Sequence, residues 1–437
     1  MTTGNQGSAY RRDREGMGVW EHRGKVAVTG VGHSNMDRRW DGISLDKTLG
    51  AYSIVAAQRA IEDAGLSPDD IDGVMSCPGP LGDYWAPRPY FEPPYDSEDG
   101  ITLVTAEWLI KGMGLSGTPL RNVTYINSEA PQIGEMMGLA AQTVGDGLAK
   151  NLLVLYPTGN MEGRYLQSGE ASTDYAHKDR QWHSPWGHHT SSMQGTAFVF
   201  DQYCTKYSTN HDRHAPFVVN QRRNGLKVPW GFYTLNEPYQ IDTEDYLSAR
   251  WLTKPLNLFD ADRPVNASAA YIFSTSDRAK DMKQPPVYVL THAQIRYPTR
   301  SSMPTLNEHE HACELLAQRM WEGSGLEPKD LDVFNPYDGY SLFCHLFLEG
   351  FQWHGVKKGE SHDFFADDIS VEGSHPFNSS GGNLGTGRTR TAIFTDCIDQ
   401  LRGQAGERQV SIRCETAAAG CNTPGGNGYI MFAKNPD

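Results

Sequence analysis

Two short stretches hold the residue types from which an active site could be assembled. The first is Tyr337-Asp338-Gly339-Tyr340; the second is Asn378-Ser-Ser-Gly-Gly-Asn-Leu-Gly-Thr-Gly-Arg388. A tyrosine hydroxyl can take up a proton near neutrality if a cation brings down its ordinary pKa of about 10. Arg388 offers that cation, or a contact for a thioester oxygen or a phosphate, and Asp338 offers a group to orient its neighbours. Gly381, Gly382, Gly385 and Gly387 cluster backbone N–H groups that no side chain shields, so they can approach a developing oxyanion closely. Either stretch taken singly also reads as a hinge or a flexible glycine loop, with Tyr337 capping a turn and Tyr340 packed in the core.

The elements that must position these residues are legible around them. Val333 and Phe334 end a buried strand, which Asn335, Pro336 and Gly339 break. Leu342, Phe343, Leu346, Phe347 and Gly350 then recur at helical spacing. The tyrosines therefore sit where a strand hands over to a helix, the usual place for ligands in open α/β sheets. A second copy of this arrangement lies far upstream. Gly65-Leu-Ser-Pro-Asp-Asp-Ile-Asp72 and Gly325-Leu-Glu-Pro-Lys-Asp-Leu-Asp332 are separated by a constant 260 residues, and each follows a helix and precedes a strand. The strand at 286–290 stands to the second helix as the strand at 25–32 stands to the first. Two copies of one βα unit are expected, each contributing half of a layered structure.

Domain limits follow from this repeat. Residues 1–24 read as a flexible arm. Residues 25–162 with 251–285 form the N-terminal half, and 286–437 the C-terminal half. Residues 163–250, polar and rich in His and aromatics, read as a loop excursion with a helix near 198–207. Residues 78–99 are rich in Pro and aromatic residues and read as an ordered loop, either packed on its own rings or walling a bulky ligand.

Bulk properties narrow the function. A formal net charge of −14 leaves no excess of Lys and Arg for general nucleic-acid binding, yet permits an anionic ligand held at a local cationic spot. The seven cysteines (77, 204, 313, 344, 397, 414 and 421) form no CxxC pair, which fits free thiols in a reducing compartment. With no long apolar run and a polar N-terminus, a cytoplasmic protein is expected. Gly30 and Gly32, at the end of the first strand, do not make a dinucleotide fingerprint, and no Walker motif occurs. Glu308-His-Glu-His311 has metal-ligand residue types, but positions i and i+2 of a helix face differently, so a solvated face is expected and no metal. The histidines at 177, 183, 188, 189, 211 and 214 read as surface or loop packing.

The duplicated βαβαβ unit, the strand–small-residue helix–strand of the first half and the glycine loop of the second resemble the thiolase superfamily. The closer resemblance is to its lipid-transfer-protein (sterol-carrier-type) branch. The phrases that carry it are Gly65-Leu-Ser-Pro-Asp, Pro255-Leu-Asn-Leu-Phe-Asp with Ala269-Ala, Tyr337-Asp338 with Leu348-Glu-Gly-Phe351, and Asn378-Ser-Ser-Gly-Gly382. The resemblance covers nearly the whole chain from residue 25. It implies a duplicated five-layer α/β/α/β/α fold and a homodimer formed through the strand near 123–127.

Departures from the thiolase pattern redirect the chemistry. Counting back from Ala140-Ala-Gln-Thr-Val144, the place of the nucleophilic cysteine falls at Ala130. Ser128 is the nearest hydroxyl, and an unassisted hydroxyl is a poor nucleophile. Arg388 stands where thiolases carry the histidine of Gly-His-Pro, and Cys421-Asn-Thr-Pro-Gly-Gly is an altered form of the acid–base Cys-x-Gly motif. Steroid side-chain aldolases, thiolase-like proteins without the cysteine, share the Tyr-Asp-x-Tyr turn and the Asn-x-x-Gly-Gly-x-Leu-Gly loop. What the resemblance implies is a retro-aldol lyase. It would cleave a bulky, steroid-type β-hydroxyacyl-CoA to a ketone and a short acyl-CoA without an acyl-enzyme. Its sole cofactor would be the coenzyme A of the substrate, and its partner a small OB-fold/zinc-ribbon protein in a heterotetramer. The implied catalytic residues are Tyr337, Tyr340, Arg388 and Asp338, with Asn378, Gly381 and Gly382 at the oxyanion and CoA. The alternatives are a catalytically silent scaffold or CoA-binding subunit, and an acetyl-CoA acyltransferase-type enzyme.

Overall fold

Strands buried along nearly their whole length organise the molecule. The computed structural model describes residues 18–76, 100, 104–115, 123–125, 133–159, 163, 192–296 and 304–436. In chain order the main elements of the first half are β1 (Val26–His33), α1 (Leu49–Ala64), β2 (Gly73–Ser76), α2 (Ala106–Gly112), β3 (Val123–Tyr125), α3 (Ile133–Gly145) and β4 (Asn151–Thr158). Then come α4 (Ser192–Lys206), α5 (Ala215–Gly225) and β5 (Ala267–Thr275). The rest of the chain gives β6 (Val287–Arg296), α6 (Leu306–Ser324), β7 (Val333–Asn335), α7 (Ser341–Phe351), α8 (Ser361–Phe365), α9 (Gly382–Thr386), α10 (Ala392–Arg402), β8 (Thr416–Cys421) and β9 (Gly426–Ala433).

The strands run in the order β3-β2-β4-β5-β1-β6-β9-β8-β7. Outward from the centre, β1-β5-β4-β2 mirrors β6-β9-β8-β7 in both order and direction. In each half two antiparallel pairs are followed by a parallel one. The halves meet at β1 and β6, which share two antiparallel pairs, Ala27 with Tyr288 and Val28 with Val287. Helix α1 covers one outer face together with α2, and α6 covers the other together with α7. Helix α3 packs on strands of both halves, and α10 lies along β8 and β7 while accepting the Tyr271 hydroxyl of β5, so these two fill the middle layer. This is the duplicated, thiolase-like α/β/α/β/α arrangement.

The repeat also holds in its details. Gly65 and Gly325 end α1 and α6 in the left-handed region (φ 71° and 72°), where glycine avoids the Cβ penalty. Each is followed by a 3-10 turn with a capping box, Ser67 with Asp70 and Glu327 with Asp330. Asp72 then accepts the N–H groups of Lys150 and Asn151 at the start of β4, as Asp332 accepts those of Glu415 and Thr416 at the start of β8. The constant spacing therefore marks one clamp, built twice, that ties a βα turn to the neighbouring strand.

Residues 192–250 differ from the expected loop excursion. They hold α4, α5 and two short helices, Phe232–Asn236 and Thr243–Ser248, with Phe200, Tyr203, Phe217 and Tyr246 buried. Their polar residues point to buried partners of the second half, which masked the helical periodicity. Glu308-His-Glu-His311 is likewise not uniformly solvated. Glu308 caps α6 and His311 is exposed, but His309 is buried, and so is Glu310, which accepts from Tyr207 and Lys206. The six described cysteines are free thiols. Among the described residues no helix is long and apolar enough to cross a membrane.

Candidate active site

The strand–helix turn and the glycine loop meet, and one carboxylate joins them. Asp338 is fully buried and accepts four hydrogen bonds. These come from Asn383 N (2.7 Å), Asn383 Nδ2 (3.0 Å), Leu384 N (3.1 Å) and Gln221 Nε2 (3.0 Å). The donors Asn383 N and Leu384 N belong to the first turn of α9, whose free N–H groups favour an acceptor there. Burial pushes the Asp338 carboxyl up to about 6, against the hydrogen bonds that favour its ionised form. Asp338 therefore does not orient a tyrosine as expected; it clasps the glycine loop.

The glycines serve the same closure. Gly381 (φ 76°) and Gly382 (φ 58°) lie in the left-handed region, and a Cβ on Gly382 would stand 2.1 Å from Asp338 Oδ2. A Cβ on Gly385 would meet the Gln221 carbonyl at 2.0 Å, so α5 and α9 touch backbone to backbone. The Gly381 N–H donates to Asn378 O (2.8 Å) and the Gly382 N–H to Ser380 Oγ (3.1 Å). Both amides thus face inward on their own loop. Asn378, itself at φ 49°, donates from Nδ2 to Pro336 O and shapes the turn that precedes the tyrosines.

Tyr337 is buried, its ring 6.1 Å from that of Phe343 and nearly parallel to it. Its electrostatic surroundings are Arg390, Asp262, Arg388 and Cys421. Burial outweighs the two guanidiniums, so the phenol sits above its ordinary pKa rather than below it. The expectation that a cation would bring it down is corrected in sign, and the reason is desolvation. Tyr340 is half-buried, edge-on to Phe343, and its backbone bridges Ala261.

Arg388 and Arg390 reach this place by different routes. The Arg388 backbone pairs with the 263–264 segment, and its Nε lies 3.9 Å from Asp262 Oδ2. Arg390 has a left-handed backbone (φ 65°), and its N–H donates to Asn383 Oδ1 at 2.8 Å. Asn383 thus links the Asp338 clasp to Arg390. The Arg390 Nη1 group donates to Tyr156 Oη (3.4 Å) at the end of β4. Burial works against its charge, but Tyr156, Tyr337 and Cys421 beside it hold the proton firmly.

Cys421 ends β8 in the same cluster. Burial pushes its thiol up to about 12, despite both arginines, with Glu135 of α3 and Asp262 adding to the rise. Such a thiol stays protonated near neutrality and is a poor nucleophile. The positions proposed for a lost nucleophile, Ala130 and Ser128, lie outside the described residues. Sequence reasoning did not find Arg390, Asp262, Tyr156 or Glu135. The available signal was Arg388-Thr-Arg390, which offers a second guanidinium two residues beyond the first.

The site therefore places a buried phenol within electrostatic reach of two guanidiniums, in a region where burial excludes water. Such an arrangement suits proton transfer and the stabilisation of an anion better than covalent chemistry.

Comparison with known proteins agrees with this reading of the fold. A family model described as Thiolase C-terminal domain-like matches residues 295–428. The chain is 25% identical over 413 residues to a 17-hydroxy-3-oxo-4-pregnene-20-carboxyl-CoA lyase of Mycobacterium tuberculosis, covering 92% of this chain and 97% of that protein. It is also 25% identical over 379 residues to a steroid side-chain-cleaving aldolase of Thermomonospora curvata, covering 83% and 86%. Among solved structures, one titled Ltp2-ChsH2(DUF35) aldolase superposes with a TM-score of 0.74 at 20% identity, covering 94% of this chain and 98% of that one. The chain is thus similar to proteins of the thiolase superfamily, and it resembles the lipid-transfer-protein (sterol-carrier-type) branch of that superfamily.

Proposed function

We propose that this protein is a carbon–carbon lyase that cleaves a bulky β-hydroxyacyl-CoA by a retro-aldol reaction. The observation that carries the proposal is the buried Tyr337 phenol within the electrostatic influence of Arg390 and Arg388, with the one described cysteine of the cluster held as a neutral thiol. The lyase and aldolase names of the two relatives support the reaction class, and a steroid-type acyl group follows from those names alone.

In the cleavage direction the phenolate form of Tyr337, the minor form near neutrality, takes the proton of the β-hydroxyl as the Cα–Cβ bond breaks. The hydroxyl carbon becomes a ketone, and the bond's electron pair moves onto the thioester as an enolate. Arg388 faces the enolate oxygen, in place of the inward-turned Gly381 and Gly382 amides. Arg390 favours the transient phenolate. Tyr337 then returns its proton to Cα, leaving a short acyl-CoA, so no net proton is consumed. Asp338 and Asn378 act as positioning residues, and Tyr340 lines the approach. A small DUF35-type protein, of the kind named with the similar structure, is the proposed partner.

The test is to incubate the chain, alone and co-expressed with such a partner, with 17-hydroxy-3-oxo-4-pregnene-20-carboxyl-CoA. Release of a ketone and a short acyl-CoA is expected, with intact-protein mass unchanged. A covalently acylated protein, or CoA binding without turnover in both preparations, would overturn the reading.

A further inference from the structure

Three histidines from separate elements converge in the second half, at a site no catalytic role uses. His214 precedes α5, His345 lies on α7 and His362 on α8, and all three are buried. One nitrogen of each lies within 4.8 Å of the other two, the single such group of potential ligands among the described residues. The ring of His214 stacks on that of His345 at 3.9 Å, and its Nδ1 approaches His362 Nε2 at 2.5 Å.

The hydrogen bonds around the group point inward. His345 Nδ1 is held by Ser361 Oγ at 2.9 Å, and His362 Nδ1 by Thr209 Oγ1 at 2.7 Å. Fixing Nδ1 from outside leaves Nε2 as the inner atom of both rings. This is how metal-binding histidines are oriented. The Nε2 atoms of His345 and His214 are buried and have no hydrogen-bond partner. Orphaned polar atoms of this kind are rare in a core, and the inner Nε2 of His345 calls for an occupant. A carboxyl group stands close by. Glu349 is buried, accepts from Tyr203 Oη and Ser361 N, and so is linked to His345 through Ser361.

We propose that His214, His345 and His362 bind a zinc ion that staples α5, α7 and α8 together. Imidazole nitrogens suit zinc, which accepts three of them in a roughly tetrahedral shell, and binding requires the His214 ring to turn out of its stack on His345. The position gives the ion a structural role beside the catalytic loops. Helix α7 starts directly after the Tyr337–Tyr340 turn, and α5 carries Gln221 and Gly225 against the glycine loop. The proposal stands independently of the reaction the enzyme performs.

The full chain, expressed without a histidine tag and without a partner that brings its own metal, is treated with chelating resin and measured by inductively coupled plasma mass spectrometry. About one zinc per chain is expected to remain. His345→Gln and His362→Gln should each weaken zinc binding at least about tenfold, whereas His311→Gln, on the exposed face of α6, should not. Unfolding wild type in the presence of a colorimetric zinc chelator gives a second readout that does not depend on folded variants. Cobalt exchanged into wild type should give tetrahedral visible bands. Wild type that is metal-free and neither shifts in melting temperature nor gains bands on addition of zinc or cobalt would overturn the proposal. So would full zinc occupancy in either histidine variant.

Discussion

At the scale of single residues, the proposed chemistry rests on how Tyr337 is charged. Its pKa lies above the ordinary tyrosine value, because burial exceeds the effect of Arg390 and Arg388. If the phenolate is the base, only a small ionised fraction is active at neutrality, and that fraction grows about tenfold for each pH unit below the pKa. The logarithm of kcat should therefore rise with a slope near one from about pH 7 to 9, without the plateau an ordinary tyrosine would approach. A flat profile would assign Tyr337 the part of an acid. Tyr337→Phe should lower kcat by about 10²–10⁴, whereas Cys421→Ala should remain within about tenfold of wild type. The two arginines should separate in a steady-state comparison. Arg390→Met removes the cation with the larger effect on Tyr337 and should lower kcat with the pH slope retained. Arg388→Met should lower kcat at an unchanged slope and also raise KM, because Arg388 is assigned to the thioester oxygen. At this scale the sequence displayed, at 337 and 388, the residue types that the proposed chemistry uses. It did not reveal that desolvation would win at Tyr337, since burial is a property of the assembled core. Nor did it reveal Arg390, whose left-handed backbone donates its N–H to Asn383.

At the scale of elements, the turn and the glycine loop were readable and their junction was not. Pro336, Gly339 and the glycines between 381 and 387 announce breaks in the chain. That α5 would lie close enough to α9 for Gly225 and Gly385 to touch depends on a segment whose helical pattern is hidden among polar residues. The junction can be tested by stability. Gly385→Ala would place a Cβ 2.0 Å from the Gln221 carbonyl, and neither partner is a flexible side-chain end. A loss of about 2–4 kcal/mol is expected in denaturant unfolding, since overpacking against backbone is among the costlier substitutions. Asp338→Ala strands donors on Asn383, Leu384 and Gln221 and should cost about 3 kcal/mol or more. Its effect should extend to activity, because Asn383 also holds the Arg390 N–H. A variant as stable as wild type, measured by chemical denaturation, would show that the loop closes without the clasp.

At the scale of the molecule, the 260-residue repeat was legible, because helix stops and capping boxes are local in sequence, whereas the Asp72 and Asp332 clamps reach strands 78 and 83 residues away. What the repeat conceals is an asymmetry between its outer edges. In the second half the edge strand β7 is covered: Phe334 bridges Phe377 and its carbonyl accepts the Asn378 N–H at 3.1 Å. In the first half β2 gains the additional strand β3, paired with it from Val74–Val123 to Ser76–Tyr125. Beyond β3 no further strand follows among the described residues. An uncovered edge invites pairing with another chain, and a twofold copy of the same strand closes the sheet without leaving a new edge. A homodimer joined along β3 is therefore expected, and sedimentation at micromolar concentration should give the mass of two chains. Successive N–H groups of a strand point to opposite edges, so Val123→Pro and Thr124→Pro should differ. One disrupts the ladder to β2 and weakens the fold; the other removes a donor at the outer edge and should yield folded monomer. A monodisperse wild-type monomer, or a dimer that survives both substitutions, would place the interface elsewhere.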